Sequence, residues 1–213
     1  MKRIIYVCFF AILLSSCTTS ETNQEPQDPE SNFYALSIGN EWVYKNFKYN
    51  STTETYVDTG VIDSISVLGT EVIGDNTYFN FRRFTTGNEE GITFCNPNGE
   101  YFELLRDSLG YLVRDDGSIK YANNDFTARV LSEANWGTIY DQLISTNNEI
   151  TVEAGTFIST YTQRYAILSN GEQSNGLDHY YYVDGIGLIY DTSSFVTQDI
   201  PSIVRRLDAY VVE

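Results

Sequence analysis

From Phe33 onward the chain repeats one pattern, in which aromatic and β-branched residues alternate with polar ones in short runs, and each run ends in a turn-forming dipeptide. Trp42, Tyr44 and Asn46 alternate with Val43, Lys45 and Phe47, and Val61 to Leu68 and Tyr78 to Phe84 read the same way. A period of two puts alternate side chains on opposite faces of a strand, whereas a helix needs a period near 3.6. Asn98-Gly99, Asp116-Gly117, Asn170-Gly171, Asn175-Gly176 and Asp184-Gly185 supply residues that tolerate the positive φ of tight hairpin turns. Hairpin following hairpin predicts an all-β single domain over residues 33–213: a meandering antiparallel sheet, curved or forming an open barrel, with at most one short helix. Only Asp125 to Ile144 could hold that helix, with Phe126, Val130 and Ala134 at helical spacing, but Trp136-Gly137 interrupts them and the aromatic content suits strand or loop about as well.

The first 32 residues do not share the pattern. Lys2 and Arg3 precede an apolar run from Ile4 to Leu14, too short for a membrane span, and the run ends Leu14-Ser15-Ser16-Cys17. Residues 1–16 read as a signal peptide. The L-S-S-C ending resembles the bacterial lipobox, which implies that Cys17 is acylated and becomes the first mature residue. Residues 17–32 are polar and acidic, with Pro26 and Pro29, and read as a tether with a reach of roughly 20 Å.

Charge narrows the partners. The formal charge is −16, and losing Lys2 and Arg3 with the leader deepens it to −18. Such a surface lacks the basic footprint that nucleic acid requires, so no nucleic-acid partner is expected, and attachment to a membrane falls to the N-terminal lipid. A hydrophobic fraction of 42% is enough to build a core. Of three cysteines, Cys8 leaves with the signal and Cys17 takes lipid, so Cys95 has no disulfide partner and reads as a small buried hydrophobe.

Motifs for chemistry are sparse. His179, beside Asp178, is the only histidine, and no G-x-S-x-G elbow accompanies it. Neither H-E-x-x-H nor paired cysteines occur, and the acidic turns do not match the twelve-residue calcium loop, so no metal and no cofactor are expected. Two acids facing each other across a cleft could support a glycan-active hydrolase. Tyr180 and Tyr182 share one face of a strand, which either packs into the core or presents two rings to a glycan or another envelope partner. Asp107-Ser108-Leu109, in a turn, and Asp63-Ser64-Ile65, in mid-strand, resemble the O-glycosylation sequon of exported Bacteroidota proteins, with Ser108 the better placed.

Three segments in order, YALSIGNEWVY over 34–44, AGTF over 154–157 and YYYVDGIGLIY over 180–190, follow the lipobox and tether. Together they resemble a group of Bacteroidota lipoproteins. The resemblance implies a single β-rich domain anchored by lipid at the outer membrane, and it transfers no catalytic residue. The reading that emerges is a non-enzymatic binding or assembly module of the cell envelope, with the hydrolase as its alternative.

Overall fold

Residues 32–213 are described by the computed structural model, and their alternating runs become twelve strands. The first six are β1 (Glu41–Asn50), β2 (Thr55–Ile73), β3 (Asn76–Thr86), β4 (Gly99–Ser108), β5 (Tyr111–Arg114) and β6 (Ile119–Ala122). The second six are β7 (Arg129–Ala134), β8 (Gly137–Val152), β9 (Gly155–Leu168), β10 (Gln173–Val183), β11 (Gly187–Ser193) and β12 (Ile203–Val211). All lie in one antiparallel sheet of order β6-β5-β4-β3-β2-β1-β12-β11-β10-β9-β8-β7. Two six-stranded meanders therefore meet where β1 pairs with β12, with Trp42 opposite Tyr210 and Lys48 opposite Ile203. The sheet is not closed by a ladder, and no helix occurs among the described residues. The signal, Cys17 and nearly all of the tether lie outside the described residues.

The turn dipeptides work as their chemistry requires at Asp116-Gly117, between β5 and β6, and at Asp184-Gly185, between β10 and β11. Their glycines take φ values of 83° and 72°, where a Cβ would be strained. One open reading is resolved and one expectation is corrected. Asp125 to Ile144 is not helical: β7 and β8 form a hairpin over it, with Ala134 opposite Gly137, so the Trp136-Gly137 interruption belongs to the turn. The reason is tertiary, because β8 is committed to a long ladder with β9, from Gly137 opposite Leu168 to Val152 opposite Gly155, and such pairing overrides a weak helical spacing. Asn175-Gly176 is not a turn either. It lies inside β10 at an irregularity between Gln173 and Leu177, where the Gly176 amide donates to the Val196 carbonyl at 2.9 Å.

The sheet curls until β6 meets β9 and β10 through side chains. Tyr121 of β6 stacks on Tyr182 of β10 with centroids 3.8 Å apart, and its hydroxyl lies 2.5 Å from that of Thr160 in β9. Phe33 to Leu36 then bridges the β4–β5 and β10–β11 turns. The Tyr34 hydroxyl donates to the Gly110 carbonyl at 2.5 Å, and the Gly185 amide donates to the Phe33 carbonyl at 3.2 Å. Asn32 fixes this segment by accepting the Leu36 amide at its Oδ1, 2.6 Å away. A second core cluster gathers Trp42, Tyr44, Val67, Ile189 and Leu207, with Ala154 and Phe157 from the β8–β9 tip packed against it. The described residues form one compact unit around its own core.

Candidate ligand-binding site

Curling leaves a cavity of about 450 Å³ inside the sheet, a volume typical of small-molecule sites. Period-two alternation builds its wall. Trp42 and Tyr44 of β1, Phe81 and Arg83 of β3, and Leu112 and Arg114 of β5 are each pairs two residues apart, aimed to one side of their strand. Tyr101, Glu103 and Leu105 do the same on β4, Lys120 comes from β6, and Tyr182, Leu188 and Arg205 come from β10, β11 and β12.

The aromatic part of the wall is rigidly held. Trp42 Nε1 donates to the Ile186 carbonyl and the Tyr44 hydroxyl to the Leu188 carbonyl, both at 2.7 Å, tying β1 to the β11 region across β12. Trp42 stacks on Phe81 with centroids 5.9 Å apart. Burial raises the Tyr44 and Tyr182 hydroxyls well above the ordinary phenol value, so both stay neutral donors.

Four cations and one carboxylate line the cavity. Glu103 accepts from Arg114 Nε at 2.7 Å and from Lys120 Nζ. Burial alone would raise its pKa, but Lys120 and Arg114 outweigh that and hold it below the usual range. Arg205 grips Asp191 with two bonds of 2.8 Å and reaches Asp63 at 3.4 Å. Asp63, fully buried behind the wall, also accepts from Thr85, Asn46 and Asn96, so that burial, which opposes its charge, is overcome. Arg83 stands apart: its side chain makes no ion pair or hydrogen bond among the described residues, its buried Nε has no partner, and its guanidinium carbon lies 4.7 Å from the centroid of the Tyr101 ring.

The sequence-predicted residues separate. Tyr182 is 5% exposed and contributes to the cavity wall. Tyr180 packs against the same aromatic cluster but is not part of the lining; its hydroxyl accepts from Arg164 at 2.7 Å. His179 pairs its Nδ1 with the Tyr161 hydroxyl at 2.7 Å, and burial holds the imidazole below its ordinary pKa. Cys95 is buried with Val61 and Ile203, its thiol pushed up to about 11 by burial. Ser108 ends β4 beside Leu109, which is 90% exposed, and the exposed Asp107 accepts from the Gly110 amide. Ser64 follows the fully buried Asp63 in β2.

Trp42, Arg83, Glu103, Lys120 and Arg205 were not read from the sequence as site residues. A usable signal was present: on β3 and β4 a charged residue shares the face of an aromatic two positions away, Arg83 with Phe81 and Glu103 with Tyr101.

No protein-family model and no curated protein matches the chain. Among solved structures, the fold is similar to that of a Bacteroides fragilis protein described provisionally as exported, with a YmcC-like fold, at a TM-score of 0.52 and 10% identity, covering 85% of this chain and 99% of that one. A Parabacteroides distasonis protein described provisionally as a lipoprotein aligns at a TM-score of 0.47 and 14% identity, with the same coverage of 85% and 99%. At 10% identity the first likeness concerns the fold alone.

Proposed function

We propose that this chain is a lipid-anchored envelope protein of the outer membrane that binds a small ligand in the aromatic cavity, without catalysing a reaction. The observation that carries the reading is the cavity itself: about 450 Å³, walled by rings already locked to backbone carbonyls, so little ordering entropy opposes a ligand. Anchorage at Cys17 rests on the basic start, the short apolar run and the L-S-S-C ending. The geometry favours binding over a glycan hydrolase. Hydrolysis by paired carboxylates needs two acids across the scissile bond, and the lining carries one, Glu103, with both oxygens engaged by cations.

The test uses N-phenyl-1-naphthylamine, a neutral fluorophore, with the domain from Asn32 on. Trp42 is in the wall and 3% exposed, whereas Trp136 is 43% exposed at the β7–β8 turn. Saturable binding with a Kd on the order of micromolar should quench Trp42, and the quenching should vanish in Trp42→Phe while persisting in Trp136→Phe. Absence of saturable binding, or quenching carried by Trp136, refutes the reading.

A further inference from the structure

Three of the four cations of the cavity wall are engaged by carboxylates, and one is not. Arg114 and Lys120 are held by Glu103, and Arg205 by Asp191 and Asp63. Arg83 has no such partner, yet it is half-buried, with its Nε enclosed and unbonded. Burial works against its charge; Asp63 and Glu103 favour the charge only from a distance, and Arg205 opposes it. An enclosed guanidinium donor without an acceptor is costly, and a ligand that supplies the acceptor recovers that cost.

Its position fits such a role. Arg83 borders the aromatic cavity and also a smaller polar cavity of about 160 Å³ lined by Asn46, Asn96, Thr192 and Ser193. Its guanidinium carbon lies over the Tyr101 ring, 4.7 Å from the centroid, and its N–H fork, a geometry suited to a two-oxygen acceptor, meets no carboxylate. The same cavity is lined by Trp42, Phe81 and Tyr182, with Leu188 beside them, so aromatic and apolar side chains share its wall with Arg83. The wall thus combines one cation without a carboxylate partner and a set of aromatic and apolar side chains.

Resting on the reading of the cavity as a binding site, we infer that its ligand is an organic monoanion with a flat apolar body, whose acidic head is received by Arg83 and whose body lies against Trp42, Phe81 and Tyr182. This selection operates within a chain of net charge −16, so the attraction for an anion is local, built by a low-dielectric wall and not by the surface field.

The experiment compares 2-naphthoate with 2-naphthamide, which share shape and differ in charge, by calorimetric titration of the domain from Asn32 on. Parent protein should bind the acid at least about tenfold more tightly than the amide, as expected for a charge-assisted bond replacing a neutral one. In Arg83→Gln the ratio should fall close to one, and in Arg83→Lys, which keeps the charge but loses the fork, it should lie between. Equal binding of acid and amide by the parent protein overturns the inference and leaves the cavity reading intact. So does binding of neither when N-phenyl-1-naphthylamine still enters, or an acid preference that survives Arg83→Gln. If the neutral fluorophore also fails to bind, the cavity reading falls and the inference with it. Should Arg83→Gln fail to fold, the acid-to-amide ratio of the parent and of Arg83→Lys still decides.

Discussion

Tyr121 and Tyr182 stack 3.8 Å apart between ring centroids although their strands, β6 and β10, are separated in the sheet by seven others. The contact turns a curved sheet into an enclosure without any ladder between its ends. Hydrogen bonding between strands sets local register, but the curl that makes the cavity is held here by rings, with Tyr34 edge-on to both partners at 6.1 and 6.2 Å.

Truncating either ring should therefore cost more than a solvent-facing tyrosine would. Tyr182→Ala and Tyr121→Ala should each lower the unfolding free energy by about 3–5 kcal/mol, and the double variant should show a coupling of about 0.5–1.5 kcal/mol. Urea unfolding of the four proteins measures both. Tyr121→Phe, which loses only the contact with the Thr160 hydroxyl, should cost about 1 kcal/mol.

Acidification should stabilise the domain at one site. Burial raises the Asp178 carboxyl to about 6, against opposition from Ser194 and Arg164, and its buried Oδ1 lacks a partner. A folded-state pKa above the unfolded value of about 3.9 means that the folded state holds the proton more tightly. Stability from this group is fully present below the unfolded pKa and is lost as pH rises through about 6. His179, held low by burial, acts in the opposite sense, so the comparison must be made with Asp178→Asn. The variant should gain stability relative to the parent between pH 5 and pH 7.5, measured by urea midpoints. A difference independent of pH would contradict the assignment.

Gly176→Ala should destabilise strongly even though no left-handed φ is involved. A Cβ there would lie 2.2 Å from the Phe195 carbonyl oxygen, a backbone atom that cannot swing aside. The expected loss is about 1–3 kcal/mol in thermal or urea unfolding. Gly171→Ala, in a turn with open space around its Cβ position, meets only the strain of its positive φ.

These cases show what was legible. Alternation in Trp42–Phe47 and Tyr78–Phe84 and the dipeptides at 116–117 and 184–185 act within a few residues, so their strands and turns could be read directly. Asn175-Gly176 could not, because its glycine is required by the distant Phe195 carbonyl and not by a turn. The cavity was hidden for a related reason. Arg83, Glu103 and Lys120 resemble ordinary solvated charges until the curl brings β3, β4 and β6 around one space, and that curl depends on Tyr121 and Tyr182, distant in sequence. The face shared by Tyr180 and Tyr182 was legible; that only Tyr182 reaches the cavity depends on where β6 comes to rest.

Cys17→Ala should abolish incorporation of a fatty-acid analogue and leave the unprocessed precursor, read by metabolic labelling and gel mobility. Label retained by the variant would remove Cys17 from the anchor.

The central claim is that the space behind Trp42 takes a ligand, and the indole N–H of Trp42, which donates to the Ile186 carbonyl at 2.7 Å, reports on it. In a nitrogen-labelled domain, the two tryptophan indole signals should respond differently to N-phenyl-1-naphthylamine: that of Trp42 should shift saturably, and that of Trp136 should stay in place. Two unmoved signals at saturating probe, or movement confined to Trp136, would contradict the account.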